Sequence, residues 1–427
     1  MSFEYSLQYA KSLDESNELN RFRNEFIIPR RQDKEAIYFL GNSLGLQSKR
    51  ANSYIQQIFQ QWGQYGVDGF FHGEQPWLNA HKQLLPILSK IVGALPGEVV
   101  VMNSLTVNLH LMLVSFYQPQ GKRNKILCEA MAFPSDQYLL HSHVKQRGLN
   151  PDEVIIEVRP REGEVLIRQE DILSFIQQYK DELALAFFSG INYYTGQVFP
   201  MSAITKVAHE VGAKAGFDLA HAAGNIPLQL HDWDVDFAGW CSYKYLNSGP
   251  GAVAGCFIHQ RFHNDVSLNR FAGWWGNKKE TQFLMRKNFE PEQSAEGWQL
   301  STPSPILYAA HKASLDIFSE AGINTVFEKN RELNTYLWFV LNEIRKEVSE
   351  ECLRIFTPTI ESERSCQVSL AIKNGKKVFD ELSGDGVYAD WREPDVIRIA
   401  PVALYNTFEE VWKFGQILKT AINKFSA

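Results

Sequence analysis

AGFDLAHAAGNIPLQLHDWDVDFAGWCSYKYLNSGP, residues 215–250, contains two short apolar runs that each end on a charged group. The first, 213–217, ends at Asp218, with His221 three residues further on. The second, 235–241, leads into Tyr243 and Lys244, the lysine standing 26 residues after the acid. A Gly/Pro turn at 247–251 follows at once. Runs of this length bounded by turn residues read as buried strands. Similar runs at 99–102, 125–128, 154–158, 183–188 and 253–258 alternate with amphipathic stretches such as 171–179 and 202–211. That alternation predicts an α/β fold, a large domain with a mainly parallel sheet sandwiched by helices. In such open sheets ligands lie outside the carboxyl ends of the strands, where Asp218 and Lys244 fall.

Around this centre the chain divides. Its 427 residues exceed one small core and suit two or three domains. A Trp- and Phe-rich helical region is expected over 51–93. After about residue 300 a long helical stretch, 304–348, is interrupted near Gly322, and β-rich segments at 352–372 and 386–400 accompany helices at 376–382 and 408–425. The division predicted is an N-terminal arm over 1–60, a large domain over 61–300 and a smaller α+β domain over 301–427. The composition, 44% apolar and 22% charged, is that of an ordinary globular protein. A net charge of −6 gives no general attraction to nucleic acid or anionic membranes. The first twenty residues lack a basic-then-apolar leader, and no run of about 18 apolar residues is present. Five cysteines, Cys128, Cys241, Cys256, Cys352 and Cys366, show no CxxC spacing, which fits a reducing compartment, and the cytoplasm is the expected location.

An acid and an amine at neighbouring strand ends form the pair that an enzyme using pyridoxal phosphate requires. The lysine holds the aldehyde, and the carboxylate keeps the pyridine nitrogen protonated so that the ring draws in electrons. Each residue also has a plainer reading: a lysine after a strand is usually a surface residue, and an acid there often caps a helix. The aromatic flanks of Lys244 and the nearby Gly249 and Gly251 favour the chemical reading. A phosphate needs donors at a helix N-terminus. MNSLTVNLHLML, 102–113, offers such a start after the 99–102 strand, although Ser104 or Thr106 could simply cap that helix.

SYKYLNSGPGAVAGCFIH (242–259), with FDLAHAAGN (217–225) before it, closely resembles the kynureninase family, fold-type-I pyridoxal phosphate enzymes of the class-V aminotransferase group. The resemblance runs from FLGNSLGL at Phe39 to APVALYN at Asn406, most of the chain. It implies an aspartate aminotransferase-like architecture with the arm packed on the small domain, and a homodimer sharing active sites. The implied activity is hydrolysis of L-kynurenine, and of 3-hydroxykynurenine, to anthranilate and L-alanine in tryptophan catabolism. By the same resemblance Lys244 is the Schiff-base lysine, Asp218 the partner of the ring nitrogen and His221 a cofactor contact. Leu105, Thr106 and Tyr243 surround the phosphate. In MAFPSD, which follows KILCEA, Phe133 stacks on the ring, Ser135 opens the next helix beside the cofactor and Asp136 contacts the ligand. Ser189, at the end of LALAFFS, matches a further cofactor contact. Trp274 in FAGWWGN reaches the phosphate across a dimer interface. Thr302 in QLSTPSP faces the substrate ring; animal members carry asparagine there, which implies a preference for kynurenine over its 3-hydroxy form. Arg398 in VIRIAPVALYN is the substrate-carboxylate arginine, its planar fork suiting a carboxylate. Tyr243, beside Lys244, is the expected proton donor in catalysis. The lone turn GNSLG (41–45) is weak evidence for phosphate binding, and the spacing around His72 in GFFHG departs from the animal pattern.

Inside the same fold the rivals are a cysteine desulfurase or an aminotransferase. A desulfurase needs a reactive thiolate on an exposed loop, whereas Cys366, in ESERSCQVSL, leads straight into a strand. Outside it, a dinucleotide-dependent dehydrogenase or a non-catalytic α/β binding protein remains open, though no GxGxxG opens a helix. The eleven histidines contain no HExxH, so no metal is expected.

Overall fold

The computed structural model describes residues 3–31, 33–349 and 351–425. All seven expected runs form strands of one sheet: β1 (Val99–Met102), β2 (Lys125–Glu129), β3 (Ile155–Val158), β4 (Leu183–Ser189), β5 (Lys214–Asp218), β6 (Phe237–Trp240) and β7 (Ala254–Ile258). Their order is β1-β7-β6-β5-β4-β2-β3, with β7 antiparallel to both of its neighbours and every other pairing parallel. Six strands therefore deliver their carboxyl ends to the same edge. Residues of β1, β4, β5 and β6 are buried along almost their whole length. That is why these strands read as continuous apolar runs: helices cover both faces, so neither set of alternate side chains meets water.

The long helical stretch is two helices, Pro305–Ala321 and Ile323–Arg345, separated at Gly322, whose φ of 77° lies in the left-handed region. Beyond them lies a four-stranded antiparallel sheet, β8 (Leu353–Ile355), β9 (Val368–Ile372), β10 (Asp390–Arg392) and β11 (Val396–Ile399), in the order β8-β9-β11-β10. Helices Gly375–Gly384 and Phe408–Phe425 pack beside it. The N-terminal segment joins this unit by helix capping and strand pairing and adds Ala10, Ile37 and Phe39 to its core. Asp14 accepts the backbone N–H groups of Phe408 and Glu409 at 2.9 Å each, capping the last helix from another part of the chain. Ile37–Tyr38 pairs in parallel with Val387–Tyr388. The expected helical region 51–93 is less regular than its composition indicates: helices Ala51–Tyr65 and Leu85–Val92 flank 3-10 turns at Gly66–Phe70 and Trp77–Gln83. Gly66 and Gly73, both with positive φ, break the pattern between them.

No helix among the described residues is long and apolar enough to cross a membrane.

Candidate active site

Lys244 and Asp218 follow β6 and end β5, two strands hydrogen-bonded in parallel register, so both groups arrive at one cavity of about 210 Å³. The Lys244 Nζ lies 3.0 Å from His221 Nε2. Burial, together with the charges of Lys244 and two arginines, pushes the His221 imidazole well below its usual range. The ring is therefore neutral, and Nε2 is able to accept from the Lys244 Nζ. Its Nδ1 is buried without a partner. The amine also stands 6.0 Å from the centroid of the Phe133 ring, which caps one side of the cavity.

The far wall is acidic. Asp218, 5% exposed, accepts the Ala220 N–H at 2.7 Å. Burial pushes its carboxyl up, and that of Asp136 well up. The two carboxyls face each other, and the Asp218 and Glu129 charges add to the rise at Asp136. At the remaining side the helix Leu105–Phe116 begins after β1, and its N-cap Ser104 makes no side-chain capping bond. Free N–H groups and an uncommitted hydroxyl at a 12-residue helix start suit an anion. The Tyr243 phenol is held above its usual range by burial, with Cys241 and Asp218 adding to the effect, so it stays a proton donor at neutral pH.

Of the thirteen expected site residues, the cavity is lined by Leu105, Thr106, Phe133, Ser135, Asp136, Ser189, Asp218, His221, Tyr243 and Lys244. Arg398 stands one layer behind. It is 1% exposed, its Nη1 donates to the Tyr193 carbonyl at 2.5 Å, its Nη2 pairs with Asp390, and its Cζ lies 5.9 Å from the ring of Tyr193, a cavity residue. Trp274 and Thr302 do not reach the cavity. Trp274 is 44% exposed with Nε1 bonded to the Gln282 carbonyl at 3.0 Å, and Thr302 is exposed in an irregular segment. Reading the sequence expects the loop GINYYTGQ, 190–197, to frame the pocket, and Ile191 and Tyr193 of that loop do line it; it missed Asp390 and Glu129. The last ends an apolar strand on a buried acid, a signal visible in KILCE.

The GNSLG turn has a structural task. The Gly45 N–H donates to the Tyr243 carbonyl at 2.8 Å, and a Cβ at position 45 would lie 2.3 Å from the Lys244 carbonyl oxygen. It presses directly on the backbone that carries the lysine.

These groups fit pyridoxal phosphate: an amine with no carboxylate partner in contact among the described residues, a buried acid across the cavity, an open anion cradle, an aromatic wall and an orphaned imidazole nitrogen. They do not fit thiolate chemistry, since all five cysteines are buried and burial pushes the Cys366 thiol up. Elsewhere Glu98, His231 and His259 converge. The two imidazoles stack at 5.0 Å with planes 12° apart, so their in-plane lone pairs run parallel, and both Glu98 oxygens already accept backbone N–H groups.

Comparison with known proteins agrees with this chemistry. Residues 326–418 match the family model described as the kynureninase C-terminal domain. A kynureninase of Flavobacterium psychrophilum is 52% identical over 423 residues, covering 99% of each chain. One of Koribacter versatilis is 46% identical over 424 residues, again with 99% of each covered. Among solved structures, the apo cysteine desulfurase of Thermococcus onnurineus superposes with a TM-score of 0.75 at 15% identity, over 91% of this chain and 95% of that one. A C-DES mutant with glycine covalently linked to its PLP cofactor gives 0.74 at 17%, over 90% and 96%. At such identities these structures establish the fold, while the full-length relatives establish the lineage: the chain belongs to the kynureninase family.

Proposed function

We propose that the cavity around Lys244 is where this chain, a pyridoxal phosphate-dependent hydrolase of carbon–carbon bonds, cleaves the Cβ–Cγ bond of L-kynurenine to give anthranilate and L-alanine. The observation that carries the assignment is the Lys244 amine on a neutral imidazole, facing the buried Asp218 across one cavity. Pyridoxal phosphate supplies an aldehyde that links to amines and a cationic ring that stores an electron pair. Lys244 is the residue to hold that aldehyde, Asp218 the partner for the ring nitrogen, Phe133 the group against the ring face, and Leu105, Thr106, Ser135 and Tyr243 the surroundings of the phosphate end. His221, Asp136 and Ser189 complete the contacts.

Arg398 binds the substrate α-carboxylate through its guanidinium. With the substrate amine linked to the cofactor aldehyde, the Lys244 amine would be the group to take the Cα proton. The hydrolytic water adds to the γ-carbonyl, and the departing Cβ collects a proton from Tyr243, whose raised phenol pKa keeps that proton available. His221, neutral and able to accept, steadies the lysine amine between these roles.

We read the working unit as a cytoplasmic homodimer with arm, large domain and small domain at 1–60, 61–300 and 301–427. An exposed aromatic cluster supports the dimer: Phe71 meets Phe283 at 5.9 Å, and Phe283 meets Trp274 at 5.5 Å. A partner subunit docked there accounts for Trp274 and Thr302 lying outside the cavity of their own chain. A neighbouring subunit would bring them to the phosphate and substrate ring.

Offering kynurenine and cysteine separately tests the assignment. Anthranilate fluorescence from the first, no sulfide from the second, and borohydride labelling confined to Lys244 are expected. Sulfide release, or a label elsewhere, refutes it.

A further inference from the structure

Behind the cavity wall, in contact with its Ser189, lies a third buried carboxyl that the reaction scheme above leaves idle. Glu129 ends β2, Ser189 ends β4 and Asp218 ends β5, and these three strands are consecutive neighbours in the sheet. Ser189 and Asp218 are direct register partners. The Ser189 hydroxyl donates to Glu129 Oε1 at 2.5 Å, and the Ser189 N–H reaches the same oxygen at 3.2 Å. Glu129 is 2% exposed. Burial pushes its carboxyl up to about 7, bonds from Ser189 oppose this, and the Asp218 charge adds to the rise. Coupling between like charges is mutual, so above about pH 7, where Glu129 is ionised, its charge makes Asp218 a stronger base.

A serine has one hydroxyl proton. Committed to Glu129, it leaves only lone pairs facing the cavity. The row Glu129–Ser189–Asp218 therefore sets both the hydrogen-bonding sense of Ser189 and the charge behind Asp218. Among the described residues, the side chain that hydrogen-bonds Glu129 is Ser189.

We propose that Glu129 is a positioning residue for the cofactor: it fixes Ser189 as an acceptor and, by its charge, strengthens the hold of Asp218 on the proton of the pyridine nitrogen. This rests on the reading of Asp218 as the partner of that nitrogen. The substitution Glu129→Gln keeps an acceptor for Ser189 and removes the charge.

The test reconstitutes the cofactor-free protein with 15N-ring-labelled pyridoxal phosphate, recording the dissociation constant, the ring 15N chemical shift and the melting temperature of the cofactor-free form. Weakening the Asp218 proton affinity by one unit corresponds to about a tenfold rise in the dissociation constant. Glu129→Gln is expected to show that rise, together with a 15N shift towards the unprotonated ring, without loss of melting temperature. A wild-type dissociation constant and 15N shift overturn the proposal, as does a lowered melting temperature with the 15N shift unchanged, which is what a purely structural role would produce. Asp218→Asn is the control on the underlying assignment: an unmoved 15N signal there refutes the cofactor reading itself. Should the glutamine variant not fold, Ser189→Ala decides. It is expected to weaken cofactor binding while leaving the ring protonated, and wild-type affinity would overturn the proposal.

Discussion

Replacing Arg398 by lysine isolates the recognition of the substrate carboxylate. The guanidinium is buried, and although burial lowers its pKa to about 10 it remains charged at neutral pH. Nη1 is spent on the Tyr193 carbonyl and Nη2 on Asp390, while Nε is buried without a partner. A carboxylate entering beside Tyr193 would share this planar fork. Lysine preserves the charge but has a single nitrogen, which cannot serve Tyr193, Asp390 and a carboxylate together. A hydrogen bond to a charged group contributes about 1.5–3 kcal/mol, so KM for kynurenine should rise about 10- to 150-fold, with kcat changing far less. Anthranilate fluorescence measures both constants. The effect must vanish for the substrate analogue lacking its α-carboxyl group, which never used the fork. Asp390 keeps Arg392 at 3.1 Å, so the melting temperature should fall only modestly. An unchanged KM, or an equal loss with the analogue, refutes the assignment.

Further outcomes follow from other parts of the site. Lys244→Ala should abolish turnover and borohydride labelling while leaving a folded protein; residual labelling would show that another amine carries the cofactor. Gly45→Ala places a Cβ against the Lys244 carbonyl and should cost about 1–3 kcal/mol of stability and lower kcat; a calorimetric scan identical to wild type would count against that contact. In the cofactor-free protein Glu129, raised from 4.5 to about 7, binds its proton more tightly folded than unfolded. Its stabilising contribution is complete below the unfolded pKa and lost as pH rises through about 7, at most about 3 kcal/mol. The melting temperature of wild type should therefore fall relative to Glu129→Gln between about pH 5 and about pH 8, and parallel curves would contradict this. Trp274→Ala should shift the protein towards monomer in light scattering and weaken cofactor retention; an unaltered dimer with full retention would remove Trp274 from the interface.

Much of the fold was legible because strands covered on both faces must be continuously apolar. The seven runs of the large sheet stand out for that reason, each within a few residues of its strand. The helix break at Gly322 was legible because a left-handed residue ends a helix wherever it occurs. The region 51–93 was not, since its aromatic richness resembles helix while Gly66 and Gly73 impose turns that composition does not announce. In the site, residues at strand ends or helix starts were readable: Asp218, Ser189, Lys244, Leu105 and Thr106. Arg398 needed resemblance, because an arginine within a strand looks the same whether it meets solvent or a carboxylate.

Sequence alone determined the strand pattern, the acid–amine pair and the family, because local periodicity and contiguous motifs survive in one dimension. Only the tertiary structure decided the charge states and the supporting contacts: a neutral His221 beneath Lys244, a raised Asp136 carboxyl facing Asp218, Glu129 behind Ser189 and Gly45 against the lysine turn. Desolvation and hydrogen bonding between groups up to 200 residues apart depend on what the folded chain brings together, and linear order carries no record of that.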